Sequence, residues 1–337
     1  RRCYRSLMSE GLPTIDLAPF AQGLGITDAA REQARILDET FRHTGFIAAK
    51  NHGVSAETKA ALLQASHDFF AEPDDVKNSI AIGKSNCHRG YVGIATETLD
   101  DKNTMAGDLK ETLDTGIDHG PDHPEVQKGT PLHGLNQLPS TPGFKAAYDR
   151  YFAEAIDAAE RMMRAMAVAL DLPLDFFLSL GDTIYNLRLI HYPPQETVQP
   201  IEGQLGCGAH TDYGSITLLT DDGVGGLQVM KRGGEWINVL IPKDHMVVNI
   251  GDLMAIWTND RWVSNPHRVI NPSNTDRYSI PLFVTPPYWA NIECLPSCIN
   301  EGEKPRHEPM LSGPYLLARF DSTHSYRNEL LAEFNNV

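Results

Sequence analysis

The 337-residue sequence has no long apolar run, few cysteines and too little positive charge to balance its acids. Each shortage excludes something. A membrane-spanning helix needs about 20 mostly apolar residues in a row, so no membrane partner is expected. Residues 1–13 are basic but lead into no apolar core of a signal peptide, so no secretory leader is read there and Met8 reads as a natural start. Lys plus Arg number 29 against 44 Asp plus Glu, a net charge of −15. Nucleic-acid binders need clustered positive surface, so no nucleic-acid partner is expected, while one local basic pocket for a small acid stays open. The five cysteines, Cys3, Cys87, Cys207, Cys294 and Cys298, are scattered and odd in number. They read as free thiols in a reducing, cytoplasmic compartment. Cys294 and Cys298 lack a second pair with which to build a zinc site.

What is present is an ordinary globular balance, 41% hydrophobic and 22% charged, in a chain long enough to bury a sizeable core. The first half reads as a strand at 14–17, a helix at 28–43, a strand at 46–49 and a helix at 55–71 stopped by Pro73. Residues 80–143 are loop-rich, with strand-like islands only at 91–93 and 111–114. Phe144, Tyr148, Phe152, Ile156, Ala159, Met163, Met166 and Leu170 recur at spacings of three and four, which predicts one long helix over 144–172. From Thr183 the pattern changes to short apolar or alternating runs between Gly, Pro, Asn and Asp turns. The runs are 187–192, 216–220, 226–230, 236–239, 246–250, 255–257, 267–269 and 278–284. This cadence predicts a sandwich or barrel rather than βαβ units. The expected organisation is mixed α+β in a single domain over 1–337, with a mainly helical region at 8–180, a β-core at 183–290 and a C-terminal helix at 311–335.

Within the β-rich half, His210 and Asp212 flank Thr211 just before the run Ile216-Thr217-Leu218-Leu219. On a strand their side chains share a face. Such a pair is either a surface ion pair or two metal ligands. His267 lies far enough downstream for several strands to return it to the same place. His210, Asp212 and His267 then form a two-histidine, one-carboxylate face, which leaves half of an octahedral metal open and suits non-haem Fe(II). Ten residues on from His267, Arg277 and Ser279 again share a strand face. A guanidinium fork beside a hydroxyl matches a carboxylate. On so apolar a strand, a buried Arg277 needs an anion, and the distal carboxylate of a small diacid supplies one.

His210-Thr211-Asp212, His267 and Arg277-Tyr278-Ser279 together resemble the Fe(II)/2-oxoglutarate-dependent dioxygenases, in their isopenicillin N synthase-like branch. Further likeness covers nearly the whole chain: Thr14 to Leu17, Gly45-Phe46 to Val54, Lys110-Glu111, His191 to Pro194, Gly225 to Val229 and Asn249 to Asp252. The resemblance implies a double-stranded β-helix, or jelly roll, buttressed by N-terminal helices and a C-terminal helix. It implies that His210, Asp212 and His267 bind Fe(II), and that Arg277 and Ser279, with Tyr192, hold the C5 carboxylate of 2-oxoglutarate. Arg188, on the same strand face as Tyr192, reaches either the co-substrate or an acidic group of the prime substrate. Phe283 and Trp257 are candidate walls of the substrate pocket. The activity implied is decarboxylation of 2-oxoglutarate to succinate and CO2, with O2 as co-substrate, coupled to oxidation of a small molecule. Hydroxylation is the default outcome; desaturation and cyclisation use the same residues. The segment from His210 to Leu219 resembles thymine-type hydroxylases, so a nucleobase, an amino acid or a natural-product intermediate is expected as substrate. An oxidase of the same fold that does not need 2-oxoglutarate, and a non-catalytic jelly-roll binding module, remain alternatives. His52 and His191 read as structural, and His88-Arg89-Gly90-Tyr91 reads as either the substrate mouth or a plain loop.

Overall fold

The computed structural model describes residues 11–100, 107–271 and 274–323. The start at Met8, Cys3 and the final helix beyond residue 323 lie outside the described residues. Twelve strands build the two main sheets: β1 (Thr14–Asp16), β2 (Phe46–Lys50), β3 (Gly90–Val92), β4 (Glu111–Gly116), β5 (Ile184–Tyr192), β6 (Cys207–His210), β7 (Ile216–Asp221), β8 (Leu227–Met230), β9 (Trp236–Val239), β10 (Met246–Ile250), β11 (His267–Val269) and β12 (Arg277–Thr285). The larger sheet runs β1-β2-β10-β7-β12-β5-β4-β3 and the smaller β6-β11-β8-β9. Several neighbours in space, such as β10 beside β2, β12 beside β5 and β11 beside β6, are distant in sequence, the winding of a double-stranded β-helix.

The large sheet separates two environments by strand alternation. On β5, Leu187 and Leu189 point into the main core, while Asn186, Arg188, Ile190 and Tyr192 point into a cavity between the sheets. On β12, Ile280, Leu282 and Val284 enter the core, while Arg277, Ser279, Pro281 and Phe283 face the cavity. A period of two thus places apolar and chemically active side chains on opposite faces of the same strands.

Helices cover the core face. They are α1 (Asp28–Phe41), α2 (Ala56–Phe70) and α3 (Phe144–Ala169); α4 (Asp252–Trp257) and α5 (Ser312–Thr323) lie in the second half. Thr27 and Ser55 cap α1 and α2 by accepting from Ala30 N and Thr58 N, which satisfies one otherwise unpaired donor in each. α1 buries Ala30, Ala34, Leu37 and Phe41, a stripe at helical spacing. The predicted strand at 255–257 is a correction: it is the end of α4. Leu253, Met254, Ile256 and Trp257 are all buried on that helix. An apolar run this short does not reveal its period. No helix among the described residues is long and apolar enough to cross a membrane.

The loop-rich segment hides a stack of imidazoles. The His119 ring lies 4.2 Å from that of His123 and 5.0 Å from that of His133. Burial, then the two neighbouring rings, push His119 down to about 4 from an ordinary 6.5. The folded chain therefore resists taking up a proton there that the unfolded chain accepts. Its stabilising contribution is complete above pH 6.5 and falls away as the pH drops towards 4. His119→Gln is expected to flatten the acid limb of a Tm-against-pH curve over that range, and an unchanged slope would place the acid sensitivity elsewhere.

Candidate active site

The cavity between the sheets encloses about 1140 Å³ of empty space, its open mouth included. At one side, His210 ends β6 and His267 begins β11, and the two residues stand opposite each other in the ladder. Their ring centroids are 4.3 Å apart. Asp212 completes the group: its Oδ1 lies 3.7 Å from His210 Nε2 and 3.6 Å from His267 Nε2. One ligand atom from each of these residues lies within 4.8 Å of the others, a set that could hold a metal ion.

Asp212 is not on a strand, and this corrects the alternation argument. β6 ends at His210, and Asp212 follows in a loop. The loop is pinned by Asp252 N, which donates to Asp212 O at 2.7 Å. Glycine makes that approach possible, because a Cβ on Gly251 would lie 2.3 Å from Gly214 O. The carboxylate is then aimed by its own contacts. Its Oδ2 accepts from Thr217 Oγ1 at 2.5 Å and from Asn249 Nδ2 at 2.6 Å, which leaves Oδ1 for the imidazoles.

The donor set fits a divalent cation. His210 Nδ1 faces Gly208 O at 2.8 Å and His267 Nδ1 faces Asn265 O at 3.3 Å. A carbonyl only accepts, so each Nδ1 carries a proton, which leaves Nε2 as the ring nitrogen that can offer a lone pair to a metal. Burial, then His210, pushes His267 down to about 4, so at neutral pH its ring is uncharged. Burial opposes the Asp212 charge, but His267, His210, Asn249 and Thr217 outweigh it and hold the carboxyl below its ordinary value. Two neutral nitrogens and one anionic oxygen on one face match Fe(II) with open positions.

Along β12 from that face, Arg277 is fully buried. Its Nε donates to Gly225 O, while Nη1 and Nη2 have no hydrogen-bond partner. The Asp221 carboxylate lies 3.7 Å from Nη2, too far for a good hydrogen bond. Burial raises the pKa of Asp221, which weakens it as a counterion. The Tyr192 ring centroid sits 4.8 Å from the guanidinium carbon, and Ser279 is buried on the same face. Burial pushes Tyr192 up to about 12, so its hydroxyl stays protonated and can donate. The orphaned η edge of Arg277 has the geometry of a carboxylate receptor, which fits 2-oxoglutarate.

Of the other expected pocket residues, Arg188 and Phe283 line the cavity and Trp257 does not. Trp257 sits on α4 and packs on Phe177 at 5.3 Å, inside the main core. Arg188 is already paired: Nε donates to Asp114 Oδ1 at 2.8 Å and Nη1 to both Glu97 oxygens at 3.1 and 3.2 Å. Burial disfavours its charge, yet Asp114 and Glu97 more than offset this and raise its pKa. Phe283 lies 5.7 Å from the Arg188 guanidinium carbon. His88, from the loop-rich segment, is buried and stacks on Phe320 of α5 at 4.0 Å, and both line the cavity.

Sequence reasoning missed the groups that hold the metal face. Asn249 stands opposite Thr217 on paired strands, so both reach one carboxylate oxygen. On the other side, Lys110 Nζ meets Asp108 at 2.5 Å, and Asp108 Oδ1 accepts from Gly208 N at 2.9 Å, two residues before His210. A polar residue at a cavity-facing position of an apolar strand, as Asn249 is in β10, was the available signal.

A jelly roll with a three-donor face and a buried carboxylate receptor in one cavity defines a metal-dependent, co-substrate-using enzyme. Comparison with known proteins gives the family. The model of the 2OG-Fe(II) oxygenase superfamily matches residues 183–286, and that of the non-haem dioxygenase in morphine synthesis N-terminal region matches residues 12–141. The 2-oxoglutarate-Fe(II) type oxidoreductase hxnY of Emericella nidulans is 34% identical over 329 residues, 94% of this chain and 93% of that protein. Among solved structures, a full-length Neurospora crassa protein in complex with alpha-KG and thymine is 30% identical with a TM-score of 0.79, covering 92% of this chain and 96% of that one. JOX2 in complex with 2OG, Fe and JA is 26% identical with a TM-score of 0.72, covering 94% of this chain and 89% of that one. The chain belongs to the 2OG-Fe(II) oxygenase superfamily. It is a 2-oxoglutarate-dependent dioxygenase that uses Fe(II) and couples decarboxylation of 2-oxoglutarate, to succinate and CO2, with oxidation of another substrate.

Proposed function

We propose that His210 Nε2, Asp212 Oδ1 and His267 Nε2 hold the Fe(II), and that Arg277, Ser279 and Tyr192 hold the C5 carboxylate of 2-oxoglutarate. Bound iron supplies open positions for the 2-oxo acid and dioxygen, and the oxidising power for C–H chemistry. The chain does the rest. Thr217 and Asn249 keep Asp212 turned so that one oxygen faces the metal. Gly208 O and Asn265 O keep both Nδ1 protons in place. Arg277 orients the co-substrate from its far end, and apolar Ile190, Leu219 and Leu227 keep water from its flank. Phe283 and Arg188 form walls of the prime-substrate pocket.

The prime substrate in this reading is a small molecule, a nucleobase, an amino acid or a natural-product intermediate, and hydroxylation is its default fate. The thymine bound to the Neurospora crassa protein and the JA bound to JOX2 support that size class. A net charge of −15 favours a small molecule over a nucleic acid. The four described cysteines, Cys87, Cys207, Cys294 and Cys298, are free thiols, which supports a reducing, cytoplasmic setting. We read the chain as one domain, because the large sheet takes strands from both halves.

One observation carries the assignment: the partnerless η edge of Arg277 opens into the same cavity as the three-donor face. The test is an anaerobic titration of the apo-protein with Fe(II) and 2-oxoglutarate, watching for the visible charge-transfer band of a chelated 2-oxo acid. The band is expected at about one equivalent of each ligand. Iron binding without a band would overturn the Arg277 assignment and favour an oxidase that does not use 2-oxoglutarate. No iron binding would overturn the metal assignment as well.

A further inference from the structure

The cavity contains a second buried guanidinium with an unpartnered nitrogen. Arg89 is 3% exposed and lines the cavity. Its Nη1 donates to Thr115 O at 3.2 Å and its Nη2 to Leu132 O at 3.4 Å, while Nε has no partner. It forms no ion pair with any described residue. Arg188 nearby is ion-paired with Asp114 and Glu97; Arg89 hydrogen-bonds only to carbonyls, and Asp114 and Asp118 act on it from beyond ion-pair distance. Burial accordingly lowers the Arg89 pKa, where the two carboxylates raise that of Arg188. The site is shaped for it. A Cβ on Gly116 would lie 2.1 Å from Arg89 Nη2, so the guanidinium occupies the space a side chain would take. Asn186 stands opposite Gly116 in the β4–β5 ladder. Its Nδ2 donates to Asp114 Oδ1 at 3.1 Å, and its Oδ1 is buried with no partner.

Position separates this group from the co-substrate site. Asn249, Thr217, Phe283, Asn186 and Gly116 form one row across β10, β7, β12, β5 and β4. Gly116 is three strand spacings, roughly 14 Å, from the Thr217 that holds Asp212. Arg277 pairs with Tyr192, six residues along β5 from Asn186, or roughly 20 Å. A molecule anchored on Arg277 therefore does not reach Arg89.

We propose that Arg89 binds a carboxylate of the prime substrate and that Asn186 Oδ1 accepts from an N–H or O–H of the same molecule. The substrate is thus a small organic acid with a hydrogen-bond donor close to its carboxylate. The anion gives an ion-pair partner to the one buried guanidinium at this end of the cavity that forms no ion pair among the described residues, and it docks across the cavity from the metal face. This rests on the oxygenase reading above and narrows its substrate class.

The test uses the Fe(II) protein, anaerobic and saturated with 2-oxoglutarate. Pyrrole-2-carboxylate, indole-2-carboxylate and orotate are titrated calorimetrically, each beside its carboxamide. The carboxylates are expected to bind about 10- to 100-fold more tightly than the amides, the range of a charge-assisted hydrogen bond. Arg89→Gln should bring that ratio to about one, and Arg89→Lys should keep part of it. If Arg89→Gln fails to fold, Asn186→Asp carries the test, because a fixed carboxylate beside Arg89 should also abolish the preference. Equal binding of acids and amides by the wild type, or a preference that survives in the folded variants, overturns the proposal. The charge-transfer band is recorded in every sample: its absence in the wild type is a failure of the oxygenase site, whereas its presence without a carboxylate preference is a failure of this inference alone.

Discussion

Asp212→Ala is expected to reduce succinate formation to background and to remove tight Fe(II) binding. The substitution deletes the one anionic donor of the metal face and leaves two neutral imidazoles. It also strands Thr217 Oγ1 and Asn249 Nδ2, which both donate to Asp212 Oδ2. A buried donor left unmade costs about 1–3 kcal/mol, so lost stability has to be separated from lost chemistry. Asp212→Asn makes the separation: an amide fills the same volume and still offers an oxygen, but brings no negative charge. Its Tm should lie close to that of the wild type while turnover stays at background. Asn249→Ala is the milder control, because it removes only one of the two groups that turn the carboxylate. A change at that remove lowers metal affinity about 10- to 100-fold, and excess Fe(II) should restore much of the turnover. Succinate assays across an Fe(II) series check all three variants. Full turnover by Asp212→Ala would sink the ligand assignment.

The parts of this site that were legible in the sequence are those set by local spacing. Arg277 and Ser279 share a cavity-facing strand face as their spacing predicts, and so do Arg188 and Tyr192. The strands at 236–239, 246–250 and 267–269 fall where the alternating runs placed them. At Asp212 local spacing no longer decides the side chain's direction: strand alternation stops at His210, and the carboxylate is aimed by Asn249, 37 residues away. Arg188 illustrates the general obstacle. Its two carboxylate partners, Asp114 and Glu97, lie 74 and 91 residues off and come from the loop-rich segment. No local pattern says which charges meet across such distances, so neither the pairing of Arg188 nor the solitude of Arg89 was visible. Trp257 failed for another reason, since a short apolar run carries no period and α4 turns that ring into the core.

Arg277→Ala should weaken 2-oxoglutarate binding more than any other single change outside the metal face. The fully buried guanidinium offers two partnerless nitrogens, and the C5 carboxylate has no second cation there to turn to: Lys110 is held by Asp108 and Glu97, and Arg188 by Glu97 and Asp114. Removing one member of a buried, hydrogen-bonded charge pair costs about 2–5 kcal/mol, or roughly 30- to 5,000-fold in affinity. Asp221 adds to the loss. With Arg277 gone, the remaining charge on its buried carboxyl repels the incoming anion. The Arg277→Ala/Asp221→Asn pair should therefore recover part of the affinity, a gain that packing damage alone would not produce. Arg277→Lys keeps the charge but not the fork, and should fall between wild type and alanine. The measurement is the charge-transfer band at fixed 2-oxoglutarate, together with the KM for 2-oxoglutarate in succinate assays. The expected pattern is a raised KM with kcat largely recovered at saturation, because Arg277 grips the far end of the co-substrate and stands away from the reacting carbon. An unchanged band and KM would mean that the carboxylate is held elsewhere, and the orphaned η edge of Arg277 would then need a different anion.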